Sequence, residues 1–306
     1  MMNALLNYGE LAREIGVRAA EKHPLASHTT MRIGGPADWA FFPRTPEEAA
    51  QLYAELLTGE LPVRIIGGGS NLLIPDAGLR AAVILTGEMN TRPERRTEGE
   101  LLVLAGTPVP GLTRWAAKEG LAGLEFAEGI PAQLGGAIRM NAGANQSCFG
   151  EITASVLLAA PNGRVIERRC IAKDFSYRTS FVTRESAFVL AALLELEQDD
   201  AREIKRRCNA FRNRRRQSQP LTERSAGCVF ANWPEQSAGA LIDRLGLKGL
   251  AVGDAMISHR HANFIINRGA ASAADVLTLV ERVSEALERE TGRTPRLELQ
   301  IWEETL

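Results

Sequence analysis

The stretch that decides the fold is Arg64–Leu73, RIIGGGSNLL, in which three consecutive glycines, Gly67, Gly68 and Gly69, follow a short apolar strand at Val63–Ile66. Glycines at the end of a buried strand let the backbone approach a ligand closely, and the amides and side chains of Ser70 and Asn71 suit phosphate oxygens. The same stretch also reads as a tight turn leaving a strand. Its spacing is not the dinucleotide fingerprint GxGxxG, and no GxxxxGK[ST] phosphate loop occurs anywhere in the chain. On its N-terminal side, TPEEAAQLYAELL places Thr45 as an N-cap with Pro46 at the first helical position and acids in the first turn, and Asp38–Phe42 reads as a strand before it. Further back, Ala4–Ala20 spaces its apolar residues as an amphipathic helix ended by His23 and Pro24. On the C-terminal side come strands at Ala81–Leu85 and Leu101–Ala105, then a helix in PGLTRWAAKEG stopped at Gly120. The alternation predicts helices packed on sheets.

From Ile152 the pattern changes. ITASVLLAAPNGRVIERRCIA is two strand-like runs joined by Pro161-Asn162-Gly163, a hairpin signal, with a third strand at Phe188–Leu196. The basic run Arg202–Arg216 is helical in pattern and marks the best domain boundary. Beyond it lie a capped helix in SAGALIDRLG, a short strand at Phe264–Ile266, a longer helix over Ala271–Thr291 and a closing strand at Leu297–Trp302.

Composition narrows the functional classes. The 306 residues carry 36 Lys plus Arg against 37 Asp plus Glu, a net charge of -1, and 45% hydrophobic residues. This suits roughly two domains with real cores and excludes disorder. A balanced charge provides no general field to gather nucleic acid or anionic lipid, so an anionic ligand must be held locally. Cys148, Cys170, Cys208 and Cys228 form no CxxC pair and no zinc spacing, so no metal site is expected and a reducing, cytoplasmic setting fits best. No run of about 18 apolar residues is present, and the opening MMNALLNYGELARE predicts no secretory leader. Glycine, at 28 residues, exceeds the usual share of about 7%.

A second glycine cluster, FAEGIPAQLGGAIRMNAGAN over Phe126–Asn145, interrupts what would be a helix with Gly129, Gly135, Gly136 and Gly143. Each helical glycine costs about 1 kcal/mol relative to alanine, so several together ask for close packing, either against a flat cofactor or against a sheet. The two clusters favour a large phosphate-bearing cofactor. FSYRTSF sets Arg178 among Phe175, Tyr177 and Phe181, a setting for a rigid guanidinium that stabilises an oxyanion or pairs with a carboxylate. Cys228 in SAGCVFANW reads from the residues alone as a small core hydrophobe. The basic run, with Arg206, Arg207, Arg212, Arg214, Arg215 and Arg216, reads as a solvated helix face or an anion site, and His259 and His261 lack the company a metal needs.

Seven segments stand in one order: Pro24–Pro43 (PLASHTTMRIGGPADWAFFP), Arg64–Asp76 (RIIGGGSNLLIPD), Glu128–Ala144 (EGIPAQLGGAIRMNAGA), Phe175–Phe181 (FSYRTSF), Gln219–Asn232 (QPLTERSAGCVFAN), Ala238–Gly249 (AGALIDRLGLKG) and Ser258–Asn267 (SHRHANFIIN). Together they resemble the UDP-N-acetylenolpyruvoylglucosamine reductase (MurB) family from about residue 24 to the end, in its shorter, type II-like subclass. The resemblance implies an α+β fold with two FAD-binding subdomains of the vanillyl-alcohol-oxidase (PCMH) type, at 1–87 and 88–210. A C-terminal α+β substrate-binding domain follows at 211–306, whose closing strand 296–302 returns to the active site. It implies non-covalent FAD held by Arg32, Gly67, Gly68, Gly69, Ser70, Asn71, Leu72, Gly129, Ile130, Gly135, Gly136, Asn141 and Ala142. Tyr177, Arg215 and Asn232 fall at substrate positions, and Arg178, Cys228 and Glu298 at catalytic ones.

The reaction so implied is reduction of the enolpyruvyl ether of UDP-N-acetylglucosamine to UDP-N-acetylmuramate, with NADPH as hydride donor, in peptidoglycan precursor synthesis and hence in cell shape and division. Arg178 and Glu298 would stabilise the charge that develops on the carboxylate side, the first by its charge and the second as a hydrogen-bonding acid, while Cys228 would protonate the adjacent carbon. Serine is usual at that position in many members, and a thiol, with a reference pKa of about 8.5, yields its proton more readily than a hydroxyl. The chain departs from the family pattern at Ala132, where glycine is usual, at Ala231, where lysine is usual, and in Ala144–Ile152 around Cys148 and Phe149. The expected partners are the enolpyruvyl nucleotide and NADPH, without nucleic acid or membrane, in a monomer. Other readings are an FAD-dependent oxidase of sugars or alcohols, although residues 60–80 hold no histidine for covalent flavin attachment, and a non-catalytic nucleotide-binding relative.

Overall fold

The computed structural model describes residues 6–185 and 187–304. The chain divides into two compact units, one built from the chain up to Lys22 with Asp38–Gly68 and Ala81–Asn213, the other from His23–Ala37, Gly69–Arg80 and the chain from Arg214 onward. Each unit is described in turn.

Strands Arg18–Pro24, Pro36–Phe42, Leu79–Leu85 and Val63–Ile66 form a four-stranded sheet in that order, most of it in the first unit. Val63–Ile66 runs parallel to Ala82–Leu85, so the glycine run leaves the sheet at a strand's C-terminal end. Helix Pro46–Leu56 starts as its sequence predicts, with the Thr45 hydroxyl accepting from the Glu48 N–H at 3.1 Å. It buries Ala49, Ala50, Leu52 and Leu56 with Phe41, Ile84 and Phe188. The N-terminal expectation needs correcting: the helix spans only Tyr8–Ile15, capped by Asn7 and ended at Gly16 in the left-handed region, and the chain then becomes a strand from Arg18. Ala4 and Leu5 lie outside the described residues.

A five-stranded antiparallel sheet completes this unit, in the order Val165–Arg169, Thr153–Ala159, Phe188–Glu195, Glu100–Leu104, Glu94–Arg95. The hairpin over Pro161-Asn162-Gly163 closes with Ala159 opposite Val165. One core cluster gathers Leu101, Val103, Leu112, Phe126, Phe149, Phe181 and Leu194. Helix Ala201–Ser218 attaches by charge as well as by the small contact of Ile204 and Cys208 with Ala117 and Ala122. Arg207 reaches Glu125 at 2.7 Å and Asp199 at 2.6 Å, and Arg212 reaches Glu128 at 2.9 Å. Arg207 and Arg212 of the basic run are therefore used inside the fold, while Arg202, Lys205, Arg206, Arg214 and Arg216 are exposed.

The second unit centres on a four-stranded antiparallel sheet, Arg224–Cys228, Phe264–Asn267, Ala255–Ile257, Ala251–Val252. Helices Ala238–Arg244 and Ala273–Thr291 bury Leu241, Ile242, Val276, Leu279 and Val283 in one core with Met31, Ile33, Leu73 and Phe230. The long helix carries a capping box between Ser272 and Asp275, and its first N–H groups also donate to Asp76, from Ala273 at 2.9 Å and Ala274 at 3.3 Å. That satisfies donors that a helix cannot satisfy itself. The closing strand is shorter than expected: only Gln300–Ile301 is a strand, parallel to Leu72–Leu73, and Leu297 adds an isolated bridge to Phe230.

The ion pairs of the basic helix differ in worth because their burial differs. Glu128 is almost fully buried, whereas Arg206 and Glu203 are both exposed. Arg212→Ala is expected to cost about 2–3 kcal/mol in chemical unfolding, against about 0–1 kcal/mol for Arg206→Ala. Equal losses would contradict the assignment.

Candidate active site

In the second unit the chain brings together residues far apart in sequence. Strand Arg224–Cys228 lies antiparallel to Phe264–Asn267 with Cys228 opposite Phe264, after a bulge between Ser225 and Cys228. The next residue, Val229, donates to the Asn263 carbonyl at 2.9 Å, and its own carbonyl accepts from Glu298 at 2.8 Å and Leu299 at 3.2 Å. Asn263, itself buried, accepts from the Phe230 N–H at 2.9 Å and donates to the Phe230 carbonyl at 2.8 Å. Asn71 completes the group: its side-chain amide donates to the Glu298 carbonyl at 2.9 Å and its carbonyl accepts from Gln300 at 2.9 Å. Asn71, Leu72, Cys228 and Glu298 are thereby held around one stretch of backbone.

The other expected residues of this unit have local tasks. Asn232 accepts from the Ala238 N–H at 3.0 Å, just ahead of the Ser237-capped helix, so its carbonyl oxygen is used in the fold. Arg215 donates to Gln219 at 3.2 Å. Arg32 is exposed, has φ 58°, and donates to the Ser27 carbonyl at 2.8 Å. Ser70 is partly buried, and Gly69 is fixed by the chain itself: a Cβ there would lie 2.0 Å from the His28 carbonyl oxygen, at φ 57°. His261 packs against Phe264 and accepts from the Asn263 N–H, and burial pushes its imidazole pKa down. Among the described residues no group of three or more His, Cys, Asp and Glu is placed to hold a metal ion.

In the first unit the two glycine clusters meet. A Cβ at Gly68 would lie 3.3 Å from both the Gln133 nitrogen and the Pro131 carbonyl, and Thr86 donates to the Gln133 side-chain carbonyl at 2.8 Å. The short helix Leu134–Arg139 follows; its first N–H groups are occupied, Leu134 by Thr107 at 3.0 Å and Gly135 by Ala105 at 2.9 Å. A Cβ at Gly136 would meet nothing within 4 Å among the described residues. Gly129 and Ile130 form the turn before it, with Ile130 donating to Ala127 at 3.0 Å. Asn141 is buried and its amide is spent within the fold, donating to Ser176 at 3.0 Å and accepting from Gly150 at 2.9 Å. Ala142 packs on the core beside it.

Arg178 sits at the tip of a hairpin, Phe175–Ser176 against Thr179–Ser180, with φ 57°. The aromatic residues around it are arranged differently from the expectation. Phe175 and Phe181 pack edge-to-face, and the guanidinium over Phe181 belongs to Arg168, at 3.7 Å. Arg178 instead donates to the Gly143 carbonyl at 3.0 Å and lies 5.3 Å from the half-exposed Tyr177 ring. Three residues were missed by sequence reading. Gln133 and Thr86 join the two glycine clusters, and Arg139 has its backbone carbonyl pinned by Ser180 at 2.9 Å and Thr183 at 2.8 Å. Burial pushes the Arg139 guanidinium pKa below its usual range, and the charge of Arg64 adds to that.

Do these residues fit a flavin nucleotide? The backbone N–H groups of Gly67, Gly68, Gly69, Ser70 and Asn71 find no acceptor among the described residues, and all five residues are at least partly buried. Unsatisfied donors of this kind, two in the first unit and three in the second, suit anionic oxygens such as those of a diphosphate. The fit is good. Residues 37–168 match the FAD binding domain family, and residues 219–302 match the family described as UDP-N-acetylenolpyruvoylglucosamine reductase, C-terminal domain. A UDP-N-acetylenolpyruvoylglucosamine reductase of Moorella thermoacetica is 44% identical over 97% of this chain and 98% of its own length. The chain belongs to the UDP-N-acetylenolpyruvoylglucosamine reductase family.

A reductase of Bacillus subtilis with the same name is 39% identical over 90% of both chains. The crystal structure of the reductase from Thermus caldophilus superposes with a TM-score of 0.79 at 40% identity, covering 94% of this chain and 99% of that one. A BBE-like protein of Physcomitrella patens, 15% identical with a TM-score of 0.50 over 63% of this chain and 45% of its own, shares the fold alone. As a member of the reductase family the chain is an oxidoreductase and a flavoprotein, with the PCMH-type FAD-binding fold. Among its described residues no helix is long and apolar enough to cross a membrane.

The cysteines of this reductase-family chain differ in environment. Burial pushes the Cys170 and Cys208 thiols up to about 11, whereas Cys148 lies 3.7 Å from Glu151 and is only partly buried. Since the thiolate is the nucleophile, a raised pKa lowers reactivity at neutral pH. Iodoacetamide at pH 8 is expected to label Cys170 and Cys208 about two orders of magnitude more slowly than a small thiol of pKa about 8.5. Peptide mapping by mass spectrometry checks this, and rapid labelling of either would contradict the burial argument.

Proposed function

We propose that this protein reduces the enolpyruvyl ether of UDP-N-acetylglucosamine to UDP-N-acetylmuramate, taking hydride from NADPH, as a cytoplasmic monomer in peptidoglycan precursor synthesis. The observation that carries this reading is the Val229 carbonyl, next to Cys228, which accepts from the Glu298 and Leu299 N–H groups while Asn71 donates to the Glu298 carbonyl, all within one unit. In domain terms, 1–87 and 88–210 act as the FAD-binding subdomains and 211–306 as the substrate-binding domain. Bound FAD supplies the two-electron chemistry, accepting hydride and donating it. Gly67, Gly68, Gly69, Ser70, Asn71 and Leu72 hold its diphosphate, with Arg32 beside them. Gly129, Ile130, Gly135, Gly136, Asn141 and Ala142 form the second wall.

The chain's own groups handle charge and protons. Hydride addition to the vinyl carbon leaves negative charge towards the substrate carboxylate. Arg178 takes that charge by electrostatic attraction, and its bond to the Gly143 carbonyl keeps the guanidinium oriented. Glu298 acts there as a hydrogen-bonding acid, and its position is supported by the Val229 and Asn71 contacts to its backbone. Cys228 delivers its thiol proton to the adjacent carbon, and solvent later restores it. Tyr177, Arg215 and Asn232 orient the nucleotide.

A visible spectrum of the purified protein is expected to show an oxidised flavin that bleaches with NADPH and recovers on adding the enolpyruvyl nucleotide. A colourless protein, or a flavin that NADPH leaves untouched, would overturn the proposal. In stopped flow, Cys228→Ser should keep both half-reactions. Cys228→Ala should keep reduction by NADPH and lose about 10²- to 10⁴-fold in reoxidation by the nucleotide. Normal reoxidation in the alanine variant would sink the proton-donor role. Glu298→Gln is expected to lose less activity than Glu298→Ala, because the amide still donates a hydrogen bond, and equal losses would count against the acid's role as donor.

A further inference from the structure

Asn263 is buried and turns its side-chain amide to one neighbour, accepting from the Phe230 N–H at 2.9 Å and donating to the Phe230 carbonyl at 2.8 Å. The two bonds copy a rung of an antiparallel ladder, with a side chain in place of a strand. The irregular strand beside it explains the need. Strand Arg224–Cys228 loses register between Ser225 and Cys228, where Gly227 stands at φ 77° in the left-handed region, and its pairing with Phe264–Asn267 resumes at Cys228 and ends there. Bulges of this kind re-aim a side chain and interrupt the ladder that would fix it. Beyond Cys228 the chain is held on this side by Asn263: Val229 donates to its backbone carbonyl at 2.9 Å, and Phe230 is bonded through both backbone groups to its amide.

The closing segment takes the other side of the same three residues. The Val229 carbonyl accepts from Glu298 and Leu299, and Ala231 donates to the Arg296 carbonyl at 2.8 Å. Phe230 lies opposite Leu297 in a bridge whose hydrogen bonds belong to its neighbours, so its own N–H and carbonyl turn towards Asn263. Val229–Ala231 is thus a ribbon between two partners. Cys228 is joined to one end of it by the peptide bond, and Glu298 donates to its first carbonyl. Phe230 is itself buried, so loss of the Asn263 amide would strand two of its backbone groups and free the ribbon to shift.

We propose that Asn263 is a positioning residue for the protonation step: by bonding both backbone groups of Phe230 it fixes the segment that carries Cys228 and receives Glu298, and it acts on the substrate only through them. Asn263 takes this role on the proton-donor reading of Cys228 given above. A shift of about 1 Å in a reacting group, caused by a change away from the chemistry, can cost about 100-fold in rate.

The test follows both half-reactions of the flavin-loaded protein in stopped flow. Asn263→Ala is expected to slow reoxidation by the enolpyruvyl nucleotide about 10- to 100-fold while reduction by NADPH stays within about twofold. Asn267→Ala is the structural control: Asn267 is buried on the same strand and also bonds backbone, donating to the Met31 carbonyl at 2.9 Å and accepting from the Gly269 and Ala271 N–H groups at 2.9 and 3.0 Å. It should lower Tm as Asn263→Ala does and leave reoxidation near the wild-type rate. Asn263→Asp keeps the experiment decisive where the alanine variant does not fold. A protonated carboxyl donates to the Phe230 carbonyl and accepts from its N–H, whereas a carboxylate only accepts. Burial and the facing carbonyl raise that carboxyl's pKa, so reoxidation by Asn263→Asp relative to wild type should climb as pH falls from about 8 to about 5. The neighbouring titratable groups His261, Cys228 and Glu298 are common to both proteins and cancel in that ratio. Equal slowing of the two half-reactions in Asn263→Ala, a matching loss in Asn267→Ala, or a flat ratio in Asn263→Asp overturns the assignment. Normal reoxidation in Cys228→Ala would sink the proton-donor reading itself, whereas a slow Cys228→Ala beside an Asn263→Ala at the wild-type rate sinks only the positioning role.

Discussion

The carbonyl of Val229 accepts two backbone hydrogen bonds, from Glu298 and Leu299, and the second unit depends on that acceptance. It joins the chain just after strand Arg224–Cys228 to the closing segment, and the Ala231–Arg296 bond at 2.8 Å adds one more rung. Asn71 and Leu73 take the closing segment from its other side, accepting from Gln300 at 2.9 Å and Trp302 at 3.0 Å. Three separate lengths of chain are therefore cross-linked by backbone groups, whose geometry is set by the peptide rather than by side-chain rotamers. The backbone on either side of Cys228 and Glu298 is thereby fixed without help from side-chain rotamers.

Charge is distributed on a different plan. With a net charge of -1 the chain has no excess of cations to spend at random, and within its longest basic run, Arg202–Arg216, Arg207 and Arg212 are paired with acids of the first unit. Those pairs attach a helix whose apolar contact is small. A cation already paired to a buried carboxylate is a poor ligand for a phosphate, because binding the phosphate would strand the acid. Arg207 and Arg212 are therefore committed to the fold, whatever other arginines of the run do.

Much of the fold was legible because its signals are local. Thr45, Ser237 and Ser272 cap helices whose starts can be read from a few residues, and Pro161-Asn162-Gly163 turns a hairpin by its own backbone preferences. Arg18–Pro24 was not legible, because RAAEKHP contains good helix formers and becomes a strand only through its place at the end of a sheet. The site divides the same way. Cys228 and Glu298 enter as proposed site residues through the family resemblance and not from local signals, and the company of Arg178 is not legible either, since Arg168 reaches Phe181 from strand Val165–Arg169, which shares no local pattern with FSYRTSF. Gln133, Thr86 and Arg139 carry no signal of their own; only the long-range contact between two glycine clusters gives them meaning.

The glycine excess resolves into two physical classes. Gly35 and Gly69 are required by the chain's own crowding, since a Cβ would lie 2.3 Å from the Asp76 carbonyl at the first and 2.0 Å from that of His28 at the second. Gly136 faces open space, where a side chain would fit the protein as it stands. Open space also surrounds glycines that end helices, such as Gly16 and Gly292, so Gly136 argues for a ligand only together with the acceptorless N–H groups of Gly67 and Gly68 in the same unit. Both features cost the ligand-free chain stability, by lost hydrogen bonds and by glycine's conformational entropy. A ligand that binds only the folded state returns that stability in proportion to the logarithm of its concentration over its dissociation constant. The flavin nucleotide is therefore part of the folded state's energetics as well as of its chemistry, and the residues that look poorly designed for stability are the ones that mark where it belongs.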